Sequence, residues 1–566
     1  MSTKNNCQRC LFAKYMPFIY KFCFLVCVAT VLTPLARAQS LSSPDDSINP
    51  GEDYNETISC DSTCLECMVP VPYDPTKQPF AIYGASTRIN LSTSGNFAPY
   101  YIMSNCSGLT TSADAFQASA FIFRPLDLST RFSYGFGAEI LGTWSKGTEY
   151  SRYIADKGWT QRNLHFPGFL INELYGEIKY RGVFLTVGMK QNERSIFDNG
   201  LNSGDIVMSN NARPIPQIRV GFIDFQNIPF TDGWAQIQGE IAYGKFMDSD
   251  WLKNHYNHYN SFITTGAYMQ YSRLYLRSNP DKPFSVTVGM QHASQFGGDW
   301  QQWRKGELIS EHKAKLTFKS WWKAFLPGGN SGSDNEGEKY YEGNHLGSWD
   351  IKARYRFHNG SELTAYMQFP WEDGSGIGKL NGFDGVWGLH YCFPYHLKWI
   401  KNVVAEYIDF TNQSGPMHWA PGDFPGTEIP GQATGADDYY NNYMYNGWAN
   451  YGMAIGTPFI KSPIYNTDGY MRFTDNRVRG FHIGADGLLS HSVEWRFMFS
   501  YRTSWGTPML PQIEKLHDTS MLAECRWHIP GAVRLMLGGA LAFDAGKLYG
   551  NNFGGHITLT YNGFIF

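Results

Sequence analysis

From Trp349 to Trp371 apolar side chains fall at every second position on both sides of a tight turn, and the positions between them are mostly charged or polar. Successive side chains of a strand point to opposite faces. Trp349, Ile351, Ala353, Tyr355 and Phe357 therefore share a face with Leu363, Ala365, Met367, Phe369 and Trp371 once the two ribbons pair. Asp350, Lys352, Arg354, Arg356, His358, Glu362, Thr364, Tyr366 and Gln368 take the other face. Ribbons of about ten residues, greasy on one side and charged on the other, suit a barrel wall with lipid outside and water within. A two-residue Asn-Gly turn would oppose His358 to Ser361 and flip the second ribbon. The pattern therefore predicts a three-residue loop, His358 to Gly360, with Gly360 left-handed and Phe357 facing Ser361.

The amino terminus indicates where such a barrel resides. Lys4, Arg9, Lys14 and Lys21 precede an apolar run from Phe22 to Leu32, and Ala36-Arg37-Ala38 supplies small residues two apart, so residues 1–38 read as a secretory signal cleaved after Ala38. Its removal takes away five positive charges and no negative ones, moving the formal net charge from −3 to −8. Nucleic acid is an unsuitable partner for such a chain. Beyond Ala38 no run of about 18 apolar residues appears, which excludes helical spans but not strands, because half the residues of a barrel strand face water. The 16% aromatic content and 58 glycines fit aromatic girdles, tight turns and a closely packed inner wall.

Residues 39–79 are rich in Ser, Pro, Asp and Asn without a sustained period and read as a periplasmic leader; residues 80–566 form the barrel. Alternating ribbons recur at 81–92, 113–124, 129–143, 172–181, 183–190, 217–226, 233–244, 262–278 and 284–294. They continue at 348–358, 361–371, 384–393, 400–410, 478–488, 492–502, 519–528, 532–545 and 553–566. The fold class is all-β, a transmembrane antiparallel outer-membrane barrel of about 18 strands. Short gaps near 182, 227–232, 279–283, 359–360, 394–399, 489–491 and 529–531 alternate with long ones at 144–171, 191–216, 245–261, 295–347, 411–477 and 503–518. Counting back from Phe566 puts every long segment outside the cell. Lys313 to Trp322 could be a further strand, but that would break the parity, so it belongs to a loop. The carboxy-terminal Phe566 suits recognition by the barrel-insertion machinery. Phe564 and Phe566 fall off the parity of Ile557, Leu559 and Tyr561 unless Gly563 carries a bulge.

The segment Leu201 to Pro216, running on through Gln217-Ile-Arg-Val-Gly221, resembles the Wzi-type capsule assembly family, as does Ile228-Pro-Phe-Thr-Asp-Gly-Trp234 with Gly239-Glu-Ile-Ala-Tyr-Gly244. The Asn211-Ala-Arg-Pro-Ile-Pro216 stretch is the most specific part. The resemblance implies an eighteen-stranded outer-membrane barrel that binds capsular polysaccharide and organises it at the cell surface. Members of that family carry a periplasmic helical portion, whereas the leader here does not read as helix. Pro214 and Pro216 remove backbone donors and fix a dihedral, so this segment is an edge, a bend or a strand entry. Asn211 and Arg213 either tie a loop to the wall or touch a sugar.

Sugars are held by aromatic rings under their CH faces and by hydrogen-bonding side chains at their hydroxyls. The 411–477 segment has that composition, with Trp419, Tyr443 and Trp448 interleaved with Asp437 and Asp438. It reads as a sugar platform or as a plug in the barrel mouth with its aromatics in a small core of its own, and both readings can hold together. Trp300, Trp303, Trp321, Trp322 and Trp505 are weaker candidates. Cys60, Cys64 and Cys67 have iron–sulfur spacing, but in an exported chain the reading is two disulfides among Cys60, Cys64, Cys67 and Cys106. His255 and His258 read as hydrogen-bonded rather than as metal ligands. The chain has no nucleophile elbow, phosphate loop or convincing carboxylate pair, so it reads as a non-enzyme without a cofactor. Its expected partners are capsular polysaccharide and outer-membrane lipids. A diffusion porin is the alternative function.

Overall fold

The computed structural model describes residues 79–566 except 193–194, 198–199, 327–342, 415–436 and 533. The expected signal (1–38), nearly all of the expected leader (39–79), Cys60, Cys64, Cys67 and Trp419 lie outside the described residues.

Eighteen antiparallel strands close into a barrel. They are β1 (Ala81–Ser92), β2 (Ala115–Arg124), β3 (Phe132–Ser145), β4 (Phe169–Tyr180), β5 (Val183–Met189) and β6 (Gln217–Phe222, resumed at Gln226–Asn227). Next come β7 (Ala235–Lys245), β8 (Tyr268–Ser278), β9 (Phe284–Phe296), β10 (Asn344–Arg356), β11 (Glu362–Trp371) and β12 (Gly385–Cys392). The wall is completed by β13 (Asn402–Asp409), β14 (Val478–Ser490), β15 (Val493–Gly506), β16 (Pro511–His528), β17 (Leu535–Gly546) and β18 (Asn552–Ile565). Each pairs with the next, and β18 closes on β1 from Ala81↔Ile565 to Ser92↔Gly554. Closure leaves no unpaired sheet edge.

The alternation sets the two faces. On β4 and β5, Leu174, Ile178, Tyr180, Val183, Leu185 and Val187 are exposed on the outside, while Glu177, Lys179 and Thr186 are buried inside. The opening hairpin folds as its pattern requires. Phe357 N–H donates to Ser361 O across 2.9 Å, Gly360 has φ +80°, and Trp349 pairs with Phe369. Inside the wall, Glu240 receives Arg219 at 2.7 Å and Arg273 at 3.1 Å, tying β6, β7 and β8 together. Arg496 donates to Glu524 at 2.7 Å across β15 and β16. Arg534, by contrast, stands exposed beside the Tyr561 hydroxyl rather than in the bore.

Four details differ from the sequence pattern. Trp371 keeps its outward register opposite Gly347 but is fully buried, because the turn around Gly376 folds over it. The ladder at the carboxy terminus runs without a bulge at Gly563, so Ile565 takes the outward position and Phe566 lies beyond the strand. The 503–518 connection is no long loop: β15 and β16 extend past the belt and turn between Gly506 and Pro511. The 262–278 ribbon splits, its first part (Ser261–Thr265) joining Asp299–Arg304 and Glu307–Lys313 in a small external sheet. Helices are short: α1 (Tyr100–Met103), α2 (Ser249–His255), α3 (Phe318–Phe325) and α4 (Gly374–Ile377). Among the described residues no helix is long and apolar enough to cross a membrane.

Candidate ligand-binding site

Three of the external connections turn inward. The largest buried cluster joins α1 between β1 and β2, the 197–215 region between β5 and β6, and the 439–473 region between β13 and β14 to the inner faces of the strands. Polar side chains of the wall fix the second of these. Asp205 accepts from Gln291 Nε2 at 2.9 Å and Gln368 Nε2 at 3.1 Å, and the same two amides donate to Asp350 at 2.9 and 3.2 Å. Ser203 N–H donates to Glu406 at 2.7 Å, and Lys352 donates to Ile196 O at 2.7 Å.

The third segment locks onto the second. Trp448 is fully buried and donates its indole N–H to Val207 O at 2.7 Å. Tyr439, Tyr440, Tyr445, Phe459 and Phe473 are buried in the same core, as the plug reading expects of these rings. Asp437 accepts from Ser414 Oγ at 2.6 Å, and Asp438 accepts from Asn476 Nδ2 at 2.6 Å and Asn441 Nδ2 at 3.1 Å. Among the described candidate residues of this segment, Tyr443 alone is outward, 47% exposed. Burial, and then the neighbouring Asp373, push the Asp437 carboxyl up to about 7; burial raises Asp384 to about 6.

Asn211 is a tie. Its side chain is fully buried, donating to Ala454 O at 2.9 Å and accepting from Asn105 N at 3.2 Å. Pro214 and Pro216 form the strand entry the sequence predicts, since β6 begins at Gln217. Arg213 behaves differently. Its guanidinium lies 4.8 Å from the Phe166 ring centre and 4.2 Å from that of Tyr451, at the edge of a narrow cleft.

This cleft gathers residues far apart in sequence. Thr111 and Ser112 come from the β1–β2 connection, Thr148, Tyr150 and His165 from the hairpin region after β3, and Trp251 and His255 from α2. Trp251 and His255 stack at 3.8 Å, and Tyr150 meets His255 edge-on at 4.7 Å. Gly452, at φ +73°, makes room for the indole: a Cβ there would stand 2.2 Å from Trp251. His255 Nδ1 is 2.8 Å from Trp251 O, and burial pulls the imidazole down to about 4. The ring is thus neutral near pH 7, with Nδ1 as donor to the carbonyl and Nε2 left as an acceptor. Burial lowers the Arg213 guanidinium to about 10, which leaves it cationic. Trp251 also lines a second narrow cleft with Asp248, Thr264, Tyr445 and Asn446.

Aromatic faces, hydroxyls, an imidazole acceptor and one cation are groups able to stack on a ring and to hydrogen-bond a polar or acidic substituent. Arg213 was among the residues that the sequence singled out as ligand candidates. Trp251, Tyr150 and His255 were not, because only folding brings α2 beside the β3 hairpin.

The remaining candidates are elsewhere. Cys106 is a free thiol donating to Ser104 O at 3.3 Å, while Cys60, Cys64 and Cys67, one of which was expected to pair with it, lie outside the described residues. His258 Nδ1 is 2.8 Å from Tyr256 O. Trp300 and Trp303 sit on the small external sheet, Trp303 against His258, and Trp505 lies beside Arg479 and Lys515. No group of three or more His, Cys, Asp or Glu among the described residues is placed to hold a metal ion.

No family model and no curated protein matches the chain. Among solved structures it is similar to Wzi of Escherichia coli, described as an outer-membrane protein involved in group 1 capsule assembly and a carbohydrate-binding β-barrel (TM-score 0.47, 11% identity, 84% of this chain and 83% of that one). It is also similar to OccAB2 of Acinetobacter baumannii (TM-score 0.41, 8% identity, 86% and 99%) and OccD3 of Pseudomonas aeruginosa (TM-score 0.39, 7% identity, 87% and 97%). A closed wall of eighteen strands with an apolar exterior decides the compartment. The chain is an outer-membrane β-barrel.

Proposed function

We propose that this barrel is a non-catalytic, Wzi-type capsule assembly protein that holds capsular polysaccharide at the cell surface. The supporting observation is the Arg213 cleft. It stands on the external side of a bore occupied by three inserted segments, and combines ring faces with hydroxyl, imidazole and guanidinium groups. The stretch that carries the family resemblance, Asn211 to Pro216, supplies both the buried tie and the cleft cation.

The experiment is retention of purified capsular polysaccharide on the immobilised barrel. Wild type retains it, and Trp251→Ala, which removes a ring from the cleft, lowers retention on the order of tenfold while the barrel stays folded. Equal retention by both proteins removes the cleft as the site, and no retention by wild type removes the function. The diffusion-porin alternative is separated by single-channel recording: a bore filled in this way passes little current, whereas a porin conducts.

A further inference from the structure

The β9–β10 connection contains a segment that leaves the external sheet and packs against the outside of the wall. Ser294 Oγ donates to Ala324 O at 2.9 Å, and Tyr243 Oη donates to Trp321 O at 3.1 Å. Trp321 fills a box of Tyr243, Tyr268 and Phe296, with ring centres 5.2, 5.4 and 5.0 Å away. All three belong to outward rows at the external ends of β7, β8 and β9. Beneath lies a polar patch that has no place in lipid. Gln270, Ser294 and His345 pair across β8, β9 and β10 on the outward side, with His292 one row below, and all four are buried. Exposed to acyl chains such groups are costly, so α3 serves as their cover.

The far side of α3 is amphipathic. Phe318, Trp322 and Leu326, four residues apart, are 86%, 56% and 48% exposed. Lys315 and Lys319 are exposed beside them, and Lys323 continues the row half-buried. The Gly374–Asp384 connection lies against the outward face of β10–β12 in the same manner. Trp349 Nε1 donates to Ile377 O, Trp387 Nε1 donates to Phe383 O, and Leu380 and Phe383 are exposed. Both segments continue the apolar belt of Ile241, Leu274 and Val288 toward the cell exterior.

We propose that α3 is an interfacial anchor that sinks Phe318, Trp322 and Leu326 into the outer leaflet and binds the phosphates of its glycolipid through Lys315 and Lys319. Large apolar side chains flanked by lysines on a short helix are the pattern of a helix lying in a membrane interface. Each lysine near an anionic surface adds attraction that a neutral lipid cannot supply. Continuity with the lipid belt and the sign of the charges both select a phosphorylated lipid as the occupant.

The test uses the full-length barrel purified in detergent, with lipid A as the probe and native mass spectrometry as the readout. The wild type retains phosphorylated lipid A on the order of tenfold more than dephosphorylated lipid A, and K315E/K319E loses that preference. Heat-modifiable gel migration confirms that the variant barrel is folded. A photo-crosslinking residue in place of Trp322, activated in cells, yields lipid adducts. Absence of a phosphate preference in wild type, its persistence in K315E/K319E, or crosslinks at position 322 to glycan or protein without lipid each overturn the proposal.

Discussion

The indole N–H of Trp448 reaches the carbonyl oxygen of Val207 across 2.7 Å, joining two inserted segments that enter the bore from opposite stretches of the wall. The bond is fully buried, so neither segment can leave without exposing an unpaired polar group or opening a cavity. The plug is one cooperative object rather than two loops.

Trp448→Ala therefore destabilises the plug by about 3–5 kcal/mol, the usual cost of removing a large buried aromatic side chain. Urea titration followed by near-ultraviolet circular dichroism checks this. The plug transition moves to lower urea, while the heat-modifiable migration of the barrel on gels is retained.

Asp205→Ala removes the carboxylate to which Gln291 and Gln368 donate, and it leaves the buried Val207 and Met208 N–H groups, which also donate to it, unpaired. Each buried group left unpaired costs about 1–3 kcal/mol. Segment 195–213 then samples positions outside the bore, and single-channel recording shows conductance steps that the wild type lacks.

The inserted 437–448 region responds to pH. Burial raises Asp437 to about 7 and Asp384 to about 6 in the folded protein, above the ordinary carboxyl value of roughly 4. A raised folded-state value means that the folded plug binds the protons more tightly than the open one. Their contribution to stability is fully present at low pH and is lost between about pH 4 and pH 7. Hydrogen-exchange protection of 437–448, corrected for intrinsic rates, is higher at pH 5 than at pH 8, and Asp437→Asn removes much of the difference.

His255 gives the proposed polysaccharide site a different profile. With its imidazole pulled down to about 4, Nε2 stays an acceptor throughout the neutral range. Polysaccharide retention is flat from pH 8 to pH 6 as far as this residue is concerned. It weakens as pH falls toward 4, when the acceptor becomes a donor. His255→Gln abolishes that acid limb in the same retention assay.

Gly360 holds the β10–β11 turn at φ +80°, a conformation that costs a β-branched residue on the order of 1–3 kcal/mol. Gly360→Val lowers stability by about that amount, read as a reduced temperature for conversion of the folded band on gels.

Much of the wall was legible because its cause is local. The apolar rows around Trp349 and Leu363 specify a register, and the register specifies the three-residue turn at Gly360. Trp371 and the polar row of Gln270 and His345 escaped, since their surroundings come from α3 and the Gly376 turn rather than from their own strands. Trp448, Asp437 and Asp438 were chosen for a composition that serves equally for binding sugar and for building a core. Their burial depends on Val207, Ser414 and Asn476, which no periodicity connects to them.

By itself the sequence determined a closed wall, the face each strand turns to lipid, and the side on which the long connections emerge. These follow from a two-residue repeat acting between neighbouring strands in a solvent that tolerates no misplaced charge. Only the tertiary structure decided that three connections turn back into the bore, that α3 lies against the outside of the wall, and that Arg213 meets Trp251 and Tyr150 around one cleft. Those arrangements rest on single hydrogen bonds and ring contacts between residues far apart in the chain. Such partners leave no periodic trace, because each pair occurs once.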